Sequence, residues 1–110
     1  MSEYKEHDMH ILGKIYDFMC KDEGLSRLPL KFGRVGKGGA KCTYRDIKPL
    51  SITIDLERIS VGSVYALCHE VAHQIEIPKG NATHNRAFKK TEQYLVKKYS
   101  RTMLANSLYW

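Results

Sequence analysis

The stretch HEVAHQIEIPKGNATH, residues 69 to 84, constrains the fold more than any other part of the chain. His69 and His73 are four positions apart, so on an α-helix both imidazoles leave the same side and can grip one ion. Glu70, beside the first histidine, is placed to take a proton from water and return it to a leaving amine. Pro78-Lys79-Gly80 then breaks the helix, which lets the chain turn back and present His84 from the start of the next one.

A catalytic zinc keeps three protein ligands and leaves one position open. Glu76 faces nearly the same way as the two histidines, but at 1.5 Å per residue it lies about 10 Å from His69 along the helix axis. His69, His73 and His84 are therefore the expected metal ligands. Glu92, nineteen residues after His73, is the rival third ligand.

The rest of the chain reads as one domain over residues 1–110. A chain of this length buries only roughly 60 to 68% of its extended surface, enough for one core with little margin. Residues 4–21 carry Met9, Leu12, Ile15, Tyr16 and Met19 at steps of three and four, the stripe of an amphipathic helix, and Gly24 falls beyond its end. His7 and His10 read as solvent-facing or capping residues near its start.

Residues 28–35, 40–46 and 51–56 read as short strands, with Gly38-Gly39 as a turn joining the first two in a hairpin. Ile52 and Ile54 alternate with Ser51, Thr53 and Asp55, which predicts one packed face and one exposed face. A second helix begins near Ser60 or Ser63 and runs to about Glu76. A last one begins near Asn81 or Thr83 and continues through Tyr99 or as far as Leu108. The expected class is α+β and zincin-like: an N-terminal helix, a small mostly antiparallel sheet, the helix carrying His-Glu-x-x-His, and a C-terminal helix.

Cys20, Cys42 and Cys68 are odd in number and never paired as Cys-x-x-Cys, so they read as small core residues rather than a disulfide framework or a zinc ribbon. GRVGKGGAK lacks the spacing of a phosphate-binding loop, and no hydroxyl residue follows its Gly-Lys pair. Neither a run of apolar residues long enough for a bilayer nor a secretory leader is apparent. The expected location is cytoplasmic, or associated with nucleoid or nucleus, with no membrane partner.

The net charge of +6 is unevenly spread: residues 1–26 carry six acidic and three basic side chains, and residues 27–110 fifteen basic and six acidic. That field attracts polyanions. Candidate nucleic-acid contacts are Lys31, Arg34, Lys37, Lys41, Arg45 and Lys48, interleaved with Phe32 and Tyr44, together with Arg86, Lys89, Lys90, Lys97, Lys98 and Arg101.

HEVAH at 69–73, the later HNRAF beginning at His84, and GGAKCTYRDIKPLSITID upstream resemble the SprT-like zinc metallopeptidases, which include Spartan-type enzymes that cut proteins crosslinked to DNA. The likeness spans roughly residues 8–100 and is shared with the WLM-type proteases, which have the same paired-helix layout. It implies a zinc-dependent endopeptidase in which His69, His73 and His84 hold Zn2+ and Glu70 is the general base of a metal-activated water. It also implies protein or peptide substrates lying extended along a sheet edge, DNA-associated proteins among them. The carboxy-terminal zinc ribbon of many relatives is not expected here.

Tyr44 and Tyr65 are both within consideration as neighbours of the oxyanion, Tyr65 being better explained by packing. Two other classes fit the same residues: a small DNA-binding or regulatory protein with a structural zinc, and an amide hydrolase acting on something smaller than protein. The oligomeric state is not written in the sequence.

Overall fold

The computed structural model describes residues 3–36, 38–59 and 62–100, with side chains from residue 8 onward. It is an α+β fold of three α-helices and a mixed three-stranded sheet. Helix α1 spans Glu3–Glu23. Its stripe behaves as the spacing predicts: Leu12, Ile15, Tyr16 and Met19 are buried, and Met9 is half-buried. Gly24 ends it in the left-handed region, with φ 69°, and the Leu25 amide donates to the Cys20 carbonyl at 2.8 Å.

The sheet departs from the expected hairpin order. Strands β1 (Leu30–Phe32), β2 (Ala40–Arg45) and β3 (Lys48–Ile54) lie in the order β1-β3-β2. β1 runs parallel to β3, and the hairpin joins β2 to β3 instead. Its turn passes through Asp46, the one described non-glycine residue with positive φ (57°), a conformation aspartate tolerates better than most residues.

Gly38-Gly39 serves a different purpose from the expected turn. A Cβ on Gly39 would sit 2.7 Å from the Ile59 nitrogen and 2.8 Å from its Cα, so glycine lets the β1–β2 connection press against the 55–59 turn. The Asp55 amide donates to the Gly39 carbonyl there at 2.7 Å.

Ile52 and Ile54 are fully buried against the helices, as their alternation predicts. Ser51 and Asp55, expected on the exposed face, are buried too. Asp55 turns its carboxylate onto the Val35 and Glu57 amides, which satisfies the charge locally.

Helix α2 spans Ser63–Glu76, with Gly62 as N-cap and no side-chain cap, so Ser63 is its first residue rather than its cap. Leu67, Cys68, Val71 and Ala72 enter the core beside α1 and β3. A 3-10 turn, Ile77–Lys79, follows. Gly80, at φ 86°, closes it: the Gly80 amide donates to Ile77 and the Asn81 amide to Glu76, a Schellman closure that reverses the chain.

Helix α3, Arg86–Leu95, starts later than expected because residues 81–85 form the return loop; Asn85 caps it by accepting from the Phe88 amide at 3.0 Å. It runs on into a π-helical turn, Val96–Ser100. Cys20 and Cys68 are buried and Cys42 half-buried, all as free thiols. No helix among the described residues is long and apolar enough to cross a membrane. Lys37, Ser60, Arg101, the stretch toward Leu108 and the side chain of His7 lie outside the described residues, and His10 is exposed.

Candidate metal centre

Helix α2 and the loop before α3 bring His69, His73 and His84 together: one ligand atom from each lies within 4.8 Å of the others. The Nε2 atoms of His73 and His84 are 3.1 Å apart. Two nitrogens bound to one tetrahedral zinc at about 2.0–2.1 Å would be roughly 3.3 Å apart, so the spacing fits such an ion and the imidazole donor set suits it. Glu76 is not in this group, as its distance along the helix predicts.

His84 is exposed and leaves the loop immediately before the Asn85 cap rather than the helix itself. The turn below it is held by Glu76, whose buried carboxylate accepts from Asn81 Nδ2 at 3.0 Å and from the Thr91 hydroxyl at 2.7 Å. The carboxylate unsuited to metal thus fastens the loop that delivers the third histidine.

Glu92, the rival third ligand, is not in this group. Its carboxylate bonds His69 Nδ1, which leaves Nε2 as the ring's other nitrogen. Phe88, one turn earlier on α3, lies against all three imidazoles, with ring centroids 5.0 Å from His69, 4.3 Å from His73 and 4.8 Å from His84. Neither role was readable from motif spacing, though one signal was present: Phe88 and Glu92 are four apart and fall on one side of α3, with His84 four residues before Phe88 in the preceding loop.

Burial and the neighbouring histidine charges hold the His73 pKa down to about 4, which keeps its ring neutral and its lone pair available. Its Nδ1 is buried without a hydrogen-bond partner among the described residues. Glu70 is almost wholly buried, and burial lifts its carboxyl to about 7, with His69 opposing the shift and Glu92 adding to it.

A cleft of about 560 Å3 opens beside the cluster, between α2 and β2. Ala40, Cys42 and Tyr44 line one side and Tyr65, Ala66, His69, Glu70 and His73 the other. β2, which supplies residues to this cleft, is an edge strand that pairs only with β3 among the described residues. Tyr44 and Tyr65 are both substantially exposed, so Tyr65 is not the packing residue that helix burial suggested. A second cavity of about 290 Å3, between Met9, Phe32, Arg34 and Asp55, contains none of the histidines.

Of the cationic candidates, Lys31 and Lys41 flank Thr53 in one row across the sheet and are exposed, as are Arg34, Arg45 and Lys48. Arg86, Lys89 and Lys90 are exposed on α3, and Lys97 beyond it. Lys98 is engaged with Asp22 and Glu23 at 2.8 Å each. Comparison with family models, with curated proteins and with solved structures gives no match.

Proposed function

We propose that the protein is a zinc-dependent endopeptidase of the SprT-like kind, hydrolysing peptide bonds in the cleft between α2 and β2. The observation that carries the proposal is the convergence of His69, His73 and His84 beside a buried Glu70, with open space on the remaining side. A structural zinc is closed by four protein ligands. Three are brought together here among the described residues, and a cleft adjoins them, which favours hydrolysis over a regulatory protein with a structural ion.

When bound, zinc supplies a Lewis acid that polarises a carbonyl and acidifies water. The protein's own residues do the remainder. Glu70 accepts the proton that water loses as it attacks the carbonyl carbon, then delivers it to the departing amine nitrogen. The unpaired edge of β2 holds an extended peptide by main-chain hydrogen bonds, giving broad tolerance of side chains. Ala40, Cys42 and Ala66 leave the cleft wall small, and Tyr44 is the exposed phenol on the strand side.

DNA-associated proteins are the proposed substrates, on the strength of the exposed lysines and arginines on the sheet and on α3. Digestion of an unfolded protein by the zinc-loaded enzyme, alone and with single-stranded DNA, tests the reading. The expected result is cleavage that Glu70→Gln slows by about 100- to 10,000-fold without loss of metal.

A further inference from the structure

We propose that Glu92 is a positioning residue that fixes His69 with its hydrogen on Nδ1 and its Nε2 lone pair free for a metal ion. The inference rests on the metal-centre reading above and concerns how that centre is tuned. A neutral imidazole carries one hydrogen, and an ionised carboxylate can only accept. A Glu92 oxygen on His69 Nδ1 therefore places the hydrogen on that nitrogen and leaves Nε2 bare.

The pair is well sheltered, with side-chain exposures of 27% for His69 and 15% for Glu92, so water competes weakly for either partner. Tyr65 lies one turn before His69 on α2. The charge of Glu92, with burial adding to it, pushes its phenol pKa upward.

The arrangement is unequal among the three histidines. Nδ1 of His73 is buried with no partner among the described residues, and His84 is exposed. Among the described residues, His69 is the one ring of the three bonded to a carboxylate. Such partners orient the ring and raise its basicity, and their loss typically weakens metal binding by about 10–100-fold. Affinity should thus respond to Glu92, a residue that touches neither the ion nor the substrate.

The experiment is a zinc titration against a chromophoric chelator with the full-length wild-type protein, Glu92→Gln and Glu92→Ala, beside ring-nitrogen NMR of His69. Glu92→Ala should bind zinc about 10–100-fold more weakly. Glu92→Gln, whose amide oxygen still accepts from Nδ1, should fall between it and wild type and carries the test if the alanine variant does not fold. In the wild-type protein without metal, NMR should show the His69 hydrogen on Nδ1, and Glu92→Ala should release it to the mixture usual for a free imidazole.

Wild-type affinity in a folded Glu92→Ala, or a wild-type His69 with its hydrogen on Nε2, would overturn the role of Glu92 alone. Failure of the wild-type protein to take up zinc would instead overturn the metal centre and this inference with it.

Discussion

At the scale of single residues, Phe88 ties stability to the site, because its buried ring touches all three imidazoles. Phe88→Ala removes that support and leaves a cavity, a loss of about 3–5 kcal/mol. Against a total of roughly 5–15 kcal/mol for a domain, that brings the fold close to its limit. Phe88→Leu keeps most of the volume and should cost under about 1.5 kcal/mol while loosening the histidines. Urea unfolding of both variants, paired with zinc titration, checks the order: alanine unstable, leucine stable with weakened metal uptake.

The imidazoles themselves were legible in the sequence, since spacing of four on a helix and a Pro-Lys-Gly break determine which side chains can meet. The work of Phe88 and Glu92 was not. It depends on how two helices pack, and the spacing along α3 says only that these side chains share a face.

At the scale of elements, the reversal between α2 and α3 governs whether His84 arrives. Gly80 holds φ 86°, a conformation that costs an L-residue roughly 1–2 kcal/mol. Gly80→Ala should lower stability by that amount in thermal unfolding and loosen zinc through His84.

Glu76 makes the same turn sensitive to pH. Burial alone would raise its pKa, but hydrogen bonds from Thr91 and Asn81 and the charge of Lys79 outweigh burial, and the net shift is downward from 4.5. A carboxyl with a depressed folded pKa adds stability that is complete above its unfolded value and is lost as pH falls through the folded one. Acid should therefore destabilise the wild-type protein below about pH 4.5 more steeply than Glu76→Gln. Unfolding in urea from neutral to acidic pH measures the difference, and parallel curves would remove Glu76 as a cause.

The three helices were largely readable from apolar periodicity and the glycine and proline breaks. The sheet was not, because β1 is three residues long and its parallel pairing with β3 is a long-range contact that no local pattern encodes. Gly38-Gly39 carries a close backbone approach, which resembles a turn signal when only the residues are known.

At the scale of the whole molecule, α1 is tied to α2 and to the last turn. The Tyr16 hydroxyl donates to Gln74 at 2.5 Å, and Gln74 donates to the Ser26 carbonyl at 2.7 Å. At the other end, Lys98 bridges Asp22 and Glu23, and the Tyr99 hydroxyl bonds the same two carboxylates. These ties engage Lys98 and Tyr99 while leaving the sheet lysines exposed.

If single-stranded DNA follows the sheet, reversing Lys31 and Lys41 to glutamate should weaken binding at low salt. The slope of log affinity against log salt should shrink by roughly one for each phosphate no longer neutralised. An unchanged slope would move the interface to α3 or dismiss it.

The central claim is that one bound zinc and Glu70 together cut peptide bonds. Its most direct measurement pairs metal content with turnover of an unfolded protein substrate in the wild-type protein and Glu70→Gln. The expected result is about one equivalent of zinc in both, with cleavage about 100- to 10,000-fold slower in the variant. Equal cleavage by both proteins, or wild-type cleavage that persists after zinc is stripped, would contradict the account.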